Sequence, residues 1–193
     1  MYKTLEILTE EPSMETFLEA ILPQILPSGY VLGENCFIRS HEGKSHLQKS
    51  IPKKFVGYTH FPYAVKVLIL HDQNSADCVL LKEKLIDLAG KNTSIPFLIR
   101  IPCRELENWY LGDFAAIEQV YPSVKASQLR NRAKYRNVDL LGGADDLKKL
   151  IGNFSKIETA RNIAPQLNIS ANTSVSFQQF VSGLKKLLDP NFV

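Results

Sequence analysis

Short apolar runs alternate with helical apolar stripes through the first half of the sequence. The runs are rich in β-branched residues and predict strands at 4–9, 30–39, 65–71 and 94–101. Apolar residues at helical spacing follow the first three runs, at 13–26, around Leu47 and Ile51, and at 75–89. Alternation of strands and helices is typical of a mostly parallel sheet flanked by helices, and such sheets bind ligands beyond the carboxyl ends of their strands.

The second half has no further strand pattern. Helical segments separated by loops are predicted at 113–120, 125–134, 144–151, 156–164 and 177–188. We therefore predict an α/β core at residues 1–122 and a C-terminal helical extension at residues 123–193 that packs on the core.

Composition and charge are those of a globular protein with a local basic excess. Hydrophobic residues make up 45% of the 193 residues, and no apolar run approaches the roughly 20 residues that a membrane helix needs. The acidic N-terminus does not resemble a secretory signal, so we expect a cytoplasmic protein with no membrane partner. Residues 123–161 carry 9 Lys/Arg against 4 Asp/Glu, a net charge of +5. Such an excess can attract a phosphate backbone, although a solvated helical surface explains it more simply.

Two acidic residues follow predicted strands at the same kind of position. Glu10 comes after the first strand and Asp72 after the third, so we expect their carboxyl groups at one edge of the sheet, within roughly 10 Å of each other. Two carboxylates there can hold a divalent metal ion, with Asn74 and Asp77 as further oxygen ligands. The alternative is local capping, in which Glu10 favours a helix N-terminus and Asn74, Ser75 or Asp77 begins the next helix.

Other polar residues accompany the predicted strand ends. His41 and Lys44 lie in a turn that is able to orient a phosphate, although an ordinary turn accounts for them as well. Arg100 ends the fourth strand, and Glu105 and Glu107 open the following helix. We expect Leu106 and Trp109 to be buried, and Glu105 or Glu107 to face the same edge as Asp72; a salt-bridged helix start is the alternative.

These segments together resemble a known bacterial family. The resemblance is carried by six stretches: 8–13, 41–44, 70–78, 100–113, 155–160 and 172–177. The most specific of them is Glu-Leu-Glu-x-Trp at 105–109 followed by Leu-Gly-Asp at 111–113. The sequence resembles the domain-of-unknown-function family 4276 (DUF4276) over nearly its whole length.

That family is similar to the Toprim fold, the Mg²⁺-binding module of topoisomerases, primases and overcoming-lysogenization-type nucleases. The resemblance implies an α/β Toprim-like fold, in which Glu10 matches the glutamate after the first strand and Asp72 matches the first aspartate of an Asp-x-Asp pair. Asn74 occupies the second aspartate position, which is a departure from the pattern. Because a carboxylate is missing there, we expect Mg²⁺ or Mn²⁺ to bind weakly without substrate.

The leading hypothesis is a Mg²⁺-dependent phosphodiester hydrolase, a Toprim-like nuclease acting on nucleic acid. Glu10, Asp72, Lys44 and Arg100 are the candidate catalytic residues, with Glu10 as metal ligand or general base and the two cations neutralising phosphate charge. The resemblance also implies that the protein acts together with a partner ATPase, and that the two take part in defence against mobile DNA such as phage. The alternatives are a catalytically weakened binding or regulatory subunit, favoured by Asn74, and hydrolysis of a small phosphorylated metabolite.

Overall fold

The fold is an α/β architecture built on one parallel sheet, as predicted. The computed structural model describes residues 3–91 and 93–189. Residues 1–2 and 92 of the predicted core, and residues 190–193 of the predicted extension, lie outside the described residues. The four strands are β1 (Lys3–Thr9), β2 (Cys36–Ser40), β3 (Ala64–Leu70) and β4 (Phe97–Arg100). All neighbours pair in parallel, in the order β2-β1-β3-β4.

Helices connect the strands and fill the second half of the chain. They are α1 (Pro12–Ile25), α2 (Lys44–Tyr58), α3 (Cys78–Ala89), α4 (Glu107–Leu111), α5 (Phe114–Val120), α6 (Ala126–Leu129), α7 (Ala144–Ile151), α8 (Lys156–Ile163) and α9 (Val175–Leu188). Short 3₁₀ turns lie at Ala133–Tyr135, Val138–Leu140 and Ala164–Gln166. None of the helices in the described residues has the length and apolarity that crossing a bilayer requires.

Both faces of the sheet are covered, which explains why the strands read as continuous apolar runs. Successive strand residues point to opposite faces. Leu5, Ile7 and Leu68 pack in the cluster formed with α1, α8 and α9, while Leu8 and Val67 pack in a second cluster with α2 and α3. The sheet is thus the middle layer of three, and its carboxyl edge is where loops reach the surface.

Helix α9 is fixed to the sheet by two cations of the strands. The Lys66 ammonium in β3 donates a hydrogen bond to the carbonyl oxygen of Leu187 near the C-terminus of α9. Arg100 at the end of β4 donates through Nε to the Gln179 carbonyl oxygen, at 2.8 Å. Both bonds satisfy carbonyl groups with buried or half-buried cations, so they hold the last described helix onto the sheet face.

Several predicted elements are shorter in the structure than in the sequence pattern, including the strand at 94–101, which is observed as Phe97–Arg100; two of them have an identifiable cause. The predicted helix at 125–134 ends at Leu129 as α6 and resumes only as a 3₁₀ turn. Arg130 with Lys134, and Arg132 with Arg136, would be like charges four residues apart in a continued helix, and such pairs are destabilising. The predicted strand at 30–39 is reduced to β2 because the Asn35 side chain binds the backbone of residues 29 and 31 and holds a loop there.

Gly112 in the Leu-Gly-Asp motif has a packing role. A Cβ atom built at this position would lie 2.0 Å from Asn172 Oδ1 and 2.9 Å from the Ser174 backbone nitrogen. The Asn172 side chain is itself anchored by a 2.7 Å hydrogen bond to the Trp109 carbonyl oxygen. We predict that Gly112→Ala lowers the free energy of unfolding by about 1–3 kcal/mol, because backbone must move to admit the methyl group.

Urea denaturation measures this effect, and Gly57→Ala is the matched control. Gly57 lies in α2, and nothing stands within 4 Å of a Cβ atom built there. The control substitution is expected to be neutral or to stabilise by up to about 1 kcal/mol, since alanine is the better helix former. Equal midpoints for Gly112→Ala and the wild type would contradict the packing argument.

Candidate active site at the carboxyl edge of the sheet

The ends of β1 and β3 bring Glu10 and Asp72 together. Thr9 is level with Leu70 in the strand register, so Glu10 lies beside His71 and Asp72 just past the last pair. Glu10 Oε2 accepts a hydrogen bond from the Asp72 backbone nitrogen at 3.2 Å. Because only a few covalent bonds separate that nitrogen from the Asp72 carboxyl group, the two carboxyl groups lie within roughly 10 Å. The predicted proximity is confirmed.

His71 connects this pair to helix α2. Its Nδ1 atom lies 3.0 Å from Glu10 Oε2 and 2.7 Å from the Asp72 carbonyl oxygen. Its Nε2 atom lies 2.9 Å from the amide nitrogen of Gln48, which is a donor. We therefore assign the ring hydrogen to Nδ1, from this hydrogen-bond network. In that tautomer the imidazole fixes the Glu10 carboxylate against the end of β3.

Helix α4 adds a third carboxylate, Glu107. Its side chain is 1% exposed, and Asp72 and Tyr110 interact with it electrostatically. Leu106 and Trp109 are fully buried. The expectation that Glu105 or Glu107 faces the edge near Asp72 is therefore confirmed for Glu107. We call Glu10, Asp72 and Glu107 the acidic cluster.

The environment of the acidic cluster favours the protonated carboxyl groups. Burial, followed by repulsion from Glu107 and Glu10, raises the pKa of Asp72 well above its usual value. Burial raises the pKa of Glu107 to about 7, against the opposing effect of Lys156. The pKa of Glu10 is also raised by burial, although His71 and the hydrogen bond from Asp72 oppose the shift. Like charges in a desolvated site produce this pattern, which is common at functional sites.

Several buried oxygens of this region lack a hydrogen-bond partner. Among the described residues, Asp72 Oδ1, Glu107 Oε2 and the Tyr110 hydroxyl are enclosed and unpaired. An unpaired buried polar atom costs about 1–3 kcal/mol, and native structures contain few of them. Three such oxygens around one cluster indicate a place where a cation or a substrate group supplies the missing partner.

Lys156 interacts electrostatically with all three members of the acidic cluster. Its ammonium group lies 2.8 Å from Glu11 Oε1, and Ser13 Oγ donates to the same oxygen at 2.7 Å. Burial opposes the charge of Lys156, but the hydrogen bond to Glu11 and the attraction of Glu107 and Asp72 outweigh it and raise its pKa. Helix α8, from the helical second half, thus supplies a charge to the edge built by the sheet.

Asn74, Asp77 and Lys44 lie on the solvent side of the edge. Asn74 is exposed and has φ 53°, a left-handed conformation that asparagine and aspartate tolerate better than most residues. Asp77 caps α3 by accepting hydrogen bonds from the backbone nitrogens of Val79 and Leu80. The capping alternative for Asp77 is therefore observed, and its role as a metal ligand stays a prediction. Lys44 begins α2 and lines a cavity of 490 Å³ together with His71 and Asn74.

Three other candidates have structural partners. The buried His41 ring binds the Thr9 carbonyl oxygen through Nδ1 and Ser50 Oγ through Nε2, so neither nitrogen is open to a ligand. Arg100 donates hydrogen bonds to the carbonyl oxygens of Gln179 and Ile99 and so holds α9, while its role in neutralising phosphate charge stays a prediction. Glu105 Oε2 accepts a hydrogen bond from the Ala144 backbone nitrogen at the start of α7. These three side chains stabilise the surroundings of the edge.

His71, Glu11, Lys156 and Tyr110 were missed by the sequence reasoning. His71 directly precedes Asp72, and parallel pairing of β1 with β3 would have placed it beside Glu10. Lys156 lies in the stretch at 155–160 that takes part in the family resemblance, but nothing local joins it to residues 145 positions earlier. Long-range packing of α8 on α1 creates that contact, and no local pattern encodes it.

The donors of the acidic cluster suit a hard divalent cation. They are carboxylate oxygens, which Mg²⁺ and Mn²⁺ prefer, and two of them are unpaired. Within residues 3–91 and 93–189, no three His, Cys, Asp or Glu side chains converge closely enough to form a metal-binding group. Mg²⁺ is usually held by one or two carboxylates together with waters and substrate phosphates, so an incomplete set of protein ligands still fits it.

Comparison with known proteins identifies the family. No curated protein and no solved structure matches the chain at a significant level. One family model matches residues 9–185, a range that includes β1's last residue, the whole acidic cluster, Lys156 and most of α9. The chain therefore belongs to the family described as Domain of unknown function (DUF4276).

Proposed function

We propose that this protein is a Mg²⁺- or Mn²⁺-dependent phosphodiester hydrolase acting on nucleic acid. The observation that carries the proposal is the acidic cluster, in which Glu10, Asp72 and Glu107 are buried at one strand edge and two of their oxygens are unpaired. Glu107 supplies from α4 a buried third carboxylate that interacts electrostatically with Asp72, whereas position 74 carries an exposed asparagine. This third carboxylate favours an enzyme over a weakened binding subunit.

The residues have separable roles in this proposal. Asp72 and Glu107 would hold the cation, which polarises the phosphate and stabilises the leaving oxygen when it is bound. Glu10 accepts the proton of the attacking water; its raised pKa suits a general base, and the Nδ1–H group of His71 fixes its carboxylate. Lys156 and Lys44 neutralise the charge that develops on the phosphate.

The nucleic-acid substrate and a partner ATPase are inferred from the family resemblance. The sequence contains Gly43-Lys44-Ser45 but not the first glycine of the G-x-x-x-x-G-K-[ST] loop, so ATP hydrolysis would belong to another chain. A Toprim-like role for the sheet edge and a place in defence against mobile DNA are parts of the same proposal.

Cleavage assays with added metal test the function. The full chain is incubated with fluorescent single-stranded and duplex DNA and RNA in Mn²⁺, Mg²⁺ or EDTA, alongside p-nitrophenyl phosphate as a small phosphoester. Metal-dependent cleavage of a nucleic acid is expected, and EDTA should abolish it. Cleavage of the small ester alone would favour a metabolite phosphatase. Metal binding by calorimetry without any cleavage would favour the regulatory subunit.

The asparagine at position 74 gives a second prediction. Asn74→Asp adds one carboxylate beside the acidic cluster, and affinity for hard cations rises with ligand charge. Because aspartate also tolerates a left-handed backbone, the fold should not change. We expect Mn²⁺ affinity in calorimetry to rise by about 10-fold, the equivalent of about 1.4 kcal/mol.

Asn153→Asp is the control for the added charge. Asn153 is exposed in the loop that follows α7, and it is not close in the sequence to Glu10, Asp72 or Glu107. Its substitution should leave Mn²⁺ affinity unchanged. If Asn74→Asp also has no effect, the loop at residue 74 does not contribute to metal binding.

A further inference from the structure

Three cavities adjoin at the loop that follows β3. The first, of 490 Å³, is lined by Lys44, His71 and Lys84; the second, of 380 Å³, by Arg104 and Glu105; and the third, of 630 Å³, by Cys103 and Arg104. Asn74 and Ser75 line all three. We call these adjoining cavities the edge groove. It passes over the loop between Asp72 and α3.

The edge groove is built on unusual backbone. Within residues 3–91 and 93–189, Asn74 and Arg104 are the two non-glycine residues with positive φ, at 53° and 66°. They are bonded to each other, because the Asn74 backbone nitrogen donates to the Arg104 carbonyl oxygen at 2.6 Å. The Arg104 backbone nitrogen in turn donates to Gln73 Oε1 at 3.0 Å. Backbone held in sparsely populated conformations clusters at binding and catalytic sites.

Three cations of the edge groove are exposed and have no acidic partner. Lys44, Lys84 and Arg104 form no ion pair within the described residues. The acidic side chains that line the groove are mostly engaged. Asp77 caps α3, and Glu105 accepts a hydrogen bond from the Ala144 backbone nitrogen. Asp139 accepts hydrogen bonds from Ser174 and Ser176, and Asp145 is exposed. The hydrogen-bonded carboxylates keep their charge, so the groove carries three cations that are not ion-paired among the described residues beside four acidic side chains.

His71 links the edge groove to the acidic cluster. Its ring lines the first cavity, and its Nδ1 atom lies 3.0 Å from Glu10 Oε2. A phosphate bound by Lys44 and Lys84 in this cavity would therefore be separated from Glu10 by the His71 side chain. The exposed arginines Arg130 and Arg136 line a different cavity of 410 Å³, with Phe114 and Tyr135, and His71 does not border it.

We propose that the edge groove binds one strand of nucleic acid, with Lys44 and Lys84 on phosphates at one end and Arg104 on a phosphate beyond the Asn74 loop. This inference rests on the proposed function and adds the path of the substrate. It places the phosphodiester between these contacts beside the acidic cluster, and it assigns to Lys84 and Arg104 the positioning of the strand.

Fluorescence anisotropy with a labelled oligonucleotide tests the path, with the full chain carrying Asp72→Asn to prevent cleavage. Lys84→Gln and Arg104→Gln are each expected to weaken binding about 3- to 10-fold. Each should also reduce the slope of log affinity against log salt by about 0.7 to 0.9, as the loss of one phosphate contact requires. Glutamine removes the charge and keeps an unbranched polar side chain, and circular dichroism checks that each variant is folded.

Arg132→Gln is the matched control, since Arg132 is exposed in the basic segment 125–136 and lines none of the three cavities. It should change affinity less than twofold. If Arg132→Gln weakens binding while Arg104→Gln and Lys84→Gln do not, the strand lies on the basic segment and the inference is wrong. Absence of binding overturns it too. Cleavage by the wild type is measured separately, so the proposed hydrolase can stand when the path fails.

Discussion

Asp72→Asn is expected to abolish metal-dependent cleavage and to stabilise the metal-free protein. The substitution removes the central carboxylate of the acidic cluster, and loss of such an electrostatic group lowers turnover by on the order of 10³-fold. It also removes a carboxyl group whose charged form is disfavoured by burial and by repulsion from Glu107 and Glu10, and which has an unpaired oxygen. We expect the free energy of unfolding in EDTA at pH 8 to rise by about 1–2 kcal/mol.

Opposite changes in stability and activity separate a functional carboxylate from a structural one. Asp113→Asn is the matched control, because Asp113 is also buried but caps α5 and accepts a hydrogen bond from the Asn168 backbone nitrogen. That variant should lose about 1 kcal/mol of stability and retain cleavage. Urea denaturation and the cleavage assay give both readouts. If Asp72→Asn destabilises the fold and still cleaves nucleic acid, the acidic cluster is not the active site.

The sheet was predictable because its strands are buried on both faces. Continuous apolar runs such as residues 65–70 leave little doubt about a strand, and the alternation with helices indicates parallel pairing. Parallel pairing then places Glu10 and Asp72 at one edge. The position of Glu107 was also predictable, since α4 is the next element after the fourth strand and the buried side chains of Leu106 and Trp109 fix its orientation.

The roles of Arg100, His41 and Lys156 could not be predicted, because each depends on packing between distant segments. Arg100 binds a carbonyl of α9, 79 positions later in the chain. His41 is enclosed by its bonds to Thr9 and Ser50. Lys156 reaches Glu11 only because α8 packs on α1. A charged residue after a strand has the same sequence signature whether it holds a helix or faces the substrate.

Glu107→Gln is expected to remove a pH dependence of stability. The pKa of Glu107 is about 7 in the folded metal-free protein, against an ordinary value of 4.5, and burial is the main cause. Between these two values the folded state holds a proton that the unfolded chain has released, so stability falls as the pH rises through this window. The shift corresponds to about 3 kcal/mol lost between pH 4.5 and 7.

The comparison of the two proteins isolates this contribution. Glutamine resembles the protonated carboxyl group, so wild type and Glu107→Gln should be similar near pH 5. By pH 8 the variant should be the more stable by about 3 kcal/mol in urea denaturation with EDTA. Glu83→Gln, on the exposed surface of α3, is the control, and its free energy of unfolding should change with pH in the same way as that of the wild type.

Added cation tests whether this destabilisation belongs to the site. A divalent ion that binds the folded state stabilises it by mass action, and it needs the ionised carboxylates to do so. Mg²⁺ or Mn²⁺ should therefore raise the stability of the wild type at pH 8, have little effect at pH 5, and have a smaller effect on Glu107→Gln at either pH. An equal response of both proteins at pH 8 would place the cation elsewhere on the chain. If instead the wild type responds more strongly, the stability lost to the ionised Glu107 at neutral pH is recovered when the cation required for the reaction binds. The same buried carboxylate would then both destabilise the metal-free protein and bind the metal ion.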